Sequence, residues 1–249
     1  MSAPQFFVGR LVPGERVALS PPDARHAVGS LRLRVGDEVP LADGGGTVGA
    51  GVLVRAEEGR AELDVGAVRV VARPARTVSV ALAAPRGDRL GWVVQKLAEL
   101  GVDEVVLMHS ERSVRRWDAT RAPSALERLR AVAREAAMQS RRPFITELSG
   151  PRTLDEAVDA EPARAVVLWE RPGEALGGVL ERDPRGVRLV VGPEGGFTER
   201  EIRSAVAGGA VTASLGPGVL RTETAALAAS VIALERVGRL GDVPEARHL

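Results

Sequence analysis

The first 72 residues alternate short apolar runs with Gly, Pro and Asp, which is the pattern of short β-strands joined by tight turns. The runs are too short to give a helix a continuous apolar face. They predict one short helix at Pro22–Leu31 and strands at Val17–Leu19, Glu38–Ala42, Gly51–Ala56 and Ala61–Val65. We expect residues 1–72 to form a small β-barrel, followed by a linker at residues 73–76.

Beyond the linker, apolar runs are separated by longer amphipathic segments. After a buried strand at Val78–Ala83, apolar residues recur with a period near 3.6, so we expect a helix that Asp88 caps and Gly101 ends. Further strands are predicted at Glu104–Met108, near Ile145, and at Ala165–Trp169, Val187–Val191 and Val211–Leu215, with helices at Ser124–Gln139 and Thr222–Gly238. Strands separated by helices indicate an α/β domain, here residues 77–249, with a parallel sheet covered on both faces.

Two glycine-containing loops near the C-terminus each join an apolar strand to a helix. The first is Gly192–Gly196, and the helix after it begins with a capping box formed by Thr198 and Glu201. The second is Leu215–Leu220. Loops of this kind at successive strand ends form a pocket from backbone groups, which suits a nucleotide-like cofactor. The alternative for the first loop is a purely structural turn, with Glu194 as a solvated acid.

Arg221 stands where the last helix begins. Thr222 as the helix cap and Glu223 as a first-turn acid suit a helix N-terminus, but a cation there opposes the helix dipole. We therefore expect a phosphate or an acid near Arg221 that compensates for the unfavourable interaction with the helix dipole.

Bulk composition narrows the functional classes. The chain has 249 residues, 45% of them hydrophobic, with a net charge of +1 and no cysteine. Disulfides, thiolate metal sites and cysteine nucleophiles are thus excluded. Neither a membrane-length apolar run nor a signal pattern is present, so we expect a cytoplasmic protein.

Basic residues are clustered even though the overall charge is small. Residues 111–142 contain nine arginines and four acidic residues. Lys96 is the only lysine, and a GC-rich genome would explain that preference for arginine. The clustering is a separate feature, and it favours a surface that faces nucleic-acid phosphates.

Other motifs carry no chemistry. The glycine pattern at Gly44–Gly49 lies between two predicted strands, so we interpret it as a hairpin turn and not as a dinucleotide site. His26, His109 and His248 are too scattered to form a metal set, and no zinc-protease or serine-hydrolase motif occurs. We expect no metal.

Together these motifs resemble those of the RsmE family, the 16S ribosomal RNA uridine-N3 methyltransferases of the SPOUT superfamily. The segment L-V-V-G-P-E-G-G-F-T-x-x-E-I, followed by L-G-P-x-V-L-R-T-E-T-A, carries the resemblance most specifically. Weaker matches cover nearly the whole chain, at residues 5–8, 26–37, 95–102, 111–114 and 139–143. The sequence differs from the usual family residues at Gln5 (Arg), Met138 (Glu) and Gly218 (Arg), which bears on RNA contacts more than on the cofactor pocket.

The resemblance implies a PUA-like RNA-binding barrel and a SPOUT α/β domain with a trefoil knot that forms a homodimer. It implies S-adenosylmethionine as cofactor and 16S rRNA of the small ribosomal subunit as substrate. The expected cofactor-binding residues are Leu168, Gly192, Pro193, Glu194, Gly195, Gly196, Leu215, Gly216, Leu220 and Thr222. The expected RNA-binding residues are His26, Arg32, Arg112, Arg115, Arg116 and Arg142.

Methylation of the uridine imide requires a proton acceptor and a group that stabilises negative charge on the base. Arg221 is the candidate for charge stabilisation, while Glu223 and Glu170 are both candidates for accepting the proton or orienting Arg221. The alternatives without a catalytic role are a surface salt bridge for Glu223 and a solvated position at a strand end for Glu170. Three other functions stay open: a ribose 2′-O-methyltransferase, a non-catalytic RNA-binding protein, and a metabolic enzyme that binds a nucleotide or phosphate.

Overall fold

The computed structural model describes residues 3–57, 59–114, 122–159, 163–171, 173–181 and 186–240. The chain divides into two compact units. The first contains Met1–Arg73 and Arg134–Ile145, and the second contains Pro74–Ala133 and Thr146–Leu249. The domain boundaries given above, with a linker at residues 73–76, remain a prediction. The short segment 134–145 groups with the N-terminal residues.

The first unit is built on a five-stranded sheet with the order β1-β3-β4-β5-β2. Its pairs are antiparallel except for β1 with β3, and β4 pairs with β5 through two irregularities that bend the sheet. Its strands are β1 (Phe6–Phe7), β2 (Arg16–Ala18), β3 (Glu38–Ala42), β4 (Thr47–Glu57) and β5 (Arg60–Val70). The sequence patterns predicted all of these except β1.

The helix and the glycine-rich turn of this unit agree with their predictions. Helix α1 (Pro21–Arg25) is followed by a π-helical turn at His26–Ser30. Gly44–Gly46 lie in the β3–β4 turn, where Asp43 Oδ1 accepts hydrogen bonds from the N–H groups of Gly45 and Thr47 at 2.8 and 2.9 Å. The interpretation of this stretch as a hairpin turn is confirmed.

The segment 134–145 completes the core of the first unit. Arg134 forms an ion pair with the buried Asp23 at 2.6 Å, and Ala137 and Met138 lie in the apolar core. Gln5 is only 5% exposed, and its N–H donates to the carbonyl of Met138 at 3.1 Å. Two of the three departures from the family pattern, Gln5 and Met138, are therefore buried beside each other, so neither offers an exposed side chain to RNA.

The second unit is built on a six-stranded sheet in which every pair is parallel, as predicted. Its strand order is β11-β9-β10-β6-β7-β8. Its strands are β6 (Val78–Ala83), β7 (Glu104–His109), β8 (Glu147–Thr153), β9 (Arg164–Leu168), β10 (Val187–Val191) and β11 (Val211–Ala213). All residues of β6 and β10 are buried, as expected for central parallel strands with both faces covered.

Two groups of helices pack in this unit. Helices α4 and α6 share an apolar core with the residues of β6, β7, β9 and β10. Helices α2, α5 and α7 form the second group, in which α7 packs against α2, α5, β6 and β10. These helices are α2 (Arg89–Leu100), α4 (Leu154–Val158), α5 (Leu176–Glu181), α6 (Glu199–Ala207) and α7 (Thr222–Arg236). Helix α3 (Ala122–Gln139) begins in the second unit, and its residues from Arg134 onward belong to the first.

The ends of α2 test two local predictions. Gly101 ends the helix with a left-handed φ of 86°, as predicted. Asp88 occupies the N-cap position, as predicted, but its side chain makes no capping hydrogen bond.

None of the described helices is long and apolar enough to cross a membrane. The trefoil knot that the resemblance implies stays a prediction.

Candidate active site

A cavity of about 270 Å³ opens at the carboxyl ends of β9, β10 and β11, which are neighbours in the sheet. Parallel strands end at the same edge, so the loops after them meet there. The cavity is lined by residues of all three loops and of the start of α7: Leu168, Trp169, Glu170, Val191, Gly192, Pro193, Glu194, Gly195, Gly196, Phe197, Ser214, Leu215, Gly216, Gly218, Val219, Leu220, Thr222 and Ala225. All ten predicted cofactor-binding residues are among them.

The loop after β10 is a tight turn whose backbone favours glycine at one position. The N–H of Gly196 donates to the carbonyl of Pro193 at 2.8 Å, and Gly196 has a left-handed φ of 66°. A Cβ atom on Gly196 would lie 3.2 Å from Oε1 of Glu170, in the neighbouring loop. The predicted capping box of Thr198 and Glu201 is confirmed, and it fixes the start of α6 directly after the turn.

The loop after β11 is tied to the β10 loop through Thr222. Its hydroxyl donates to the carbonyl of Gly192 at 3.0 Å, and the residue is 3% exposed. The prediction of Thr222 as the cap of α7 is wrong, because Arg221 occupies the cap position and Thr222 is the first helical residue. The tertiary contact to Gly192 uses the hydroxyl that was expected to cap the helix.

The chemical character of the cavity comes from backbone, apolar side chains and two carboxylates. Within the described part of the chain, the N–H groups of Gly218, Val219 and Leu220 make no hydrogen bond, so they are available to a ligand. Glu170 and Glu194 are the charged residues among the described lining, which includes no Arg or Lys. This arrangement favours an apolar or cationic ligand and disfavours a polyphosphate.

Comparisons with known proteins agree with this geometry. A family model described as an RNA methyltransferase domain matches residues 72–234, and one described as an RNA methyltransferase PUA domain matches residues 19–66. The chain is 34% identical over 252 residues to the ribosomal RNA small subunit methyltransferase E of Mycobacterium tuberculosis, covering 96% of this chain and 93% of the relative. The chain belongs to the ribosomal RNA small subunit methyltransferase E family.

Solved structures of similar proteins cover nearly the same length. The family enzyme of Neisseria gonorrhoeae, solved bound to S-adenosylmethionine, has a TM-score of 0.83 and 29% identity, covering 94% of this chain and 97% of that one. A protein of Legionella pneumophila, solved with the same cofactor bound, has a TM-score of 0.80 and 28% identity, covering 94% of this chain and 98% of that one.

Two of the three candidate catalytic residues face open space. Glu170 lines the cavity, and Arg221 lines an open depression of about 550 Å³ beside it. The Arg221 side chain makes neither a hydrogen bond nor an ion pair with the described residues.

Glu223 is in a different position. It is 8% exposed, lines neither the cavity nor the depression, and accepts a hydrogen bond from Nη1 of Arg89 at 2.6 Å. Its second oxygen, Oε2, is buried and has no partner among the described residues. The salt bridge considered for Glu223 therefore exists, but it joins a buried carboxylate to the half-exposed side chain of Arg89. It joins the start of α7 to the start of α2.

The candidate RNA-binding residues are spread over both units. His26 and Arg32 are exposed in the first unit, and Arg32 has a left-handed φ of 57°. Arg142 is half-buried in the same unit, and its carbonyl accepts a hydrogen bond from Nε2 of Gln5 at 2.8 Å. Arg115 and Arg116 lie outside the described residues.

Among the RNA candidates that the structure describes, Arg112 directly contacts a cavity loop. Its Nη1 donates to the carbonyl of Gly195 at 2.9 Å. The neighbouring Glu111 N–H donates to Oε1 of Glu201, the acid of the α6 capping box, at 2.8 Å. These contacts fasten the loop after β7 to the loop after β10, so Arg112 supports the cavity wall.

Sequence reasoning missed the loop after β6. The N–H of Arg86 donates to Oε1 of Glu194 at 2.8 Å, so this loop supports a cavity-lining carboxylate. Arg86, Asp88 and Arg89 also line the depression beside the cavity. The sequence does contain a signal for this loop, because a basic segment directly follows a buried strand. That signal indicates this site only when the sheet order, with β6 beside β10, is known.

Proposed function

We propose that this protein transfers a methyl group from S-adenosylmethionine to N3 of one uridine in 16S rRNA of the small ribosomal subunit. The observation that carries the proposal is the cavity at the strand ends, in a chain of the ribosomal RNA small subunit methyltransferase E family. Relatives solved with S-adenosylmethionine cover nearly the whole chain.

The cavity residues fit this cofactor. The free N–H groups of Gly218 to Leu220 suit the hydrogen-bond acceptors of adenine and ribose, and Leu168, Leu215 and Leu220 suit the ring faces. The carboxylate of Glu194 favours the cationic groups of the cofactor. When bound, S-adenosylmethionine supplies an electrophilic methyl group.

The acceptor nitrogen is a weakly acidic imide that is protonated at neutral pH. Its proton must leave as the N–C bond forms, so an acceptor has to lie within hydrogen-bond reach of N3. Of the two candidate acids, Glu170 lines the cavity, whereas Glu223 is committed to Arg89. We assign proton acceptance to Glu170, and to Arg221 the stabilisation of negative charge that develops on the uracil oxygens.

The remaining residues position these groups. The Glu223–Arg89 pair and the bond from Thr222 to Gly192 hold the start of α7, which carries Arg221. The first unit, which contains the PUA match, presents His26 and Arg32 for RNA. A homodimer, with the second copy completing the RNA-binding surface, is part of this proposal.

The proposal is tested by single-turnover transfer of labelled methyl to small subunits from cells that lack the modification. Parent protein should label 16S rRNA. Glu170→Gln should lower the rate by about 10²-fold while cofactor affinity stays within a few-fold, because a positioned base contributes about that much. An unchanged rate would remove Glu170 from the role of proton acceptor. Absence of label with the parent protein would refute the function.

A further inference from the structure

The open depression beside the cavity is lined by three arginines from three separate parts of the second unit. Arg86 lies in the loop after β6, Arg89 is the first residue of α2, and Arg221 is the cap residue of α7. Glu194 lines both the depression and the cavity, so the two adjoin. A ligand in the depression would therefore lie next to a ligand in the cavity.

The guanidinium groups of Arg86 and Arg221 have no partner among the described residues. The contact of Arg86 with Glu194 is made by its backbone N–H, which leaves its side chain free. Arg89 uses Nη1 for Glu223 and is 47% exposed at its side chain. Guanidinium groups donate in a planar fork that matches phosphate oxygens, so the depression presents directed donors for an anion.

The lining also contains Asp88 and Glu194, so the depression is not uniformly basic. Two carboxylates among three guanidinium groups would repel a long run of phosphates. They still permit one phosphate held by directed hydrogen bonds. The charge pattern therefore favours a single anionic group.

We infer that this depression binds the phosphodiester adjoining the methylated nucleotide, with Arg86 and Arg89 as RNA contacts beside Arg221. The inference rests on the proposed function, because the cavity is taken as the cofactor site. A base that reaches the cavity from a folded RNA must be held away from its stack, and holding a flanking phosphate fixes the nucleotide for in-line transfer. Glu223 then acts as a positioning residue that fixes the guanidinium of Arg89.

The test is Arg86→Ala, which keeps the backbone bond to Glu194 and removes only an exposed side chain. Affinity for small subunits lacking the modification is measured over a series of salt concentrations. Loss of one phosphate contact should weaken binding by about 3- to 10-fold and reduce the slope of log affinity against log salt by about one. Arg86→Lys should restore the slope because the charge returns. Arg203→Ala, which removes an exposed arginine outside both lining sets, should leave the slope unchanged.

The carboxylate of the cofactor is the other anion that could occupy the depression. If Arg86→Ala weakened S-adenosylmethionine binding in calorimetry without RNA, the depression would hold the cofactor and the inference would be overturned. An unchanged salt slope would overturn it as well. Both results differ from failure of the proposed function, in which the parent protein would not methylate the subunits.

Discussion

The left-handed turn at Gly196 should be required for cofactor binding. With a φ of 66°, an alanine there would have a strained backbone that costs about 1–2 kcal/mol. Its Cβ would lie 3.2 Å from Oε1 of Glu170, so that carboxylate would have to move by a few tenths of an ångström. The turn lies at the cavity rim, and we expect it to relax in the free protein.

Binding would then have to restore the strained turn. A cost of about 1–2 kcal/mol corresponds to a dissociation constant about 5- to 30-fold higher for S-adenosylmethionine in Gly196→Ala. Calorimetry measures the affinity, and urea unfolding measures the part of the strain that appears as lost stability.

Gly209→Ala is the matched control. Gly209 also has a left-handed φ, at 92°, but nothing lies within 4 Å of its Cβ position and it does not line the cavity. This variant should lose stability by a similar amount and keep its cofactor affinity. If Gly196→Ala bound S-adenosylmethionine as tightly as the parent, the turn would not be part of the cofactor site.

Three further predictions concern the RNA side and the two units. Arg221→Lys keeps the charge but loses the planar fork, so single-turnover methylation should fall by about 10²-fold with cofactor affinity within a few-fold; a parental rate would exclude Arg221 from catalysis. Arg112→Ala removes the hydrogen bond to Gly195 and should weaken cofactor binding by about 2- to 10-fold in calorimetry. Arg115→Glu should weaken RNA binding alone. Equal cofactor affinity in both variants would contradict the role of Arg112. The fragment 77–249 keeps the cavity loops and should dimerise and bind cofactor without methylating rRNA; a monomeric, fully active fragment would refute both the dimer and the RNA-binding role of the first unit.

The design of that fragment follows from the packing of α3. Ala137 and Met138 belong to the core of the first unit, so a chain beginning at residue 77 would expose them. Replacing Met138 by a polar residue in the fragment should improve its solubility without changing cofactor affinity, because Met138 lies outside the cavity lining.

Local sequence patterns were sufficient to predict the strand and the helix start on either side of the first cavity loop. The strand Val187–Val191 is recognisable because a central parallel strand is apolar throughout, and the start of α6 because Thr198 and Glu201 cap each other. Two of the loops that line the cavity were also recognisable from sequence, whereas the sheet order, in which β9 lies between β10 and β11, was not.

Features set by tertiary contacts were not predictable in this way. The hydroxyl of Thr222 binds Gly192 across 30 residues of sequence, so no local rule distinguishes it from a capping threonine. The contribution of Arg86 depends on β6 lying beside β10, which the chain order does not reveal. Gln5 and Met138 were expected to affect RNA contacts, but their burial in one core is visible only in the fold.

The proposed reaction places the methyl group on N3 of a uridine. The most direct measurement is mass spectrometry of nucleosides from unmodified small subunits after incubation with the protein and S-adenosylmethionine, followed by mapping of the modified position. We expect one new product, 3-methyluridine, at a single site in 16S rRNA. A 2′-O-methylated nucleoside, or no methylated product, would contradict it.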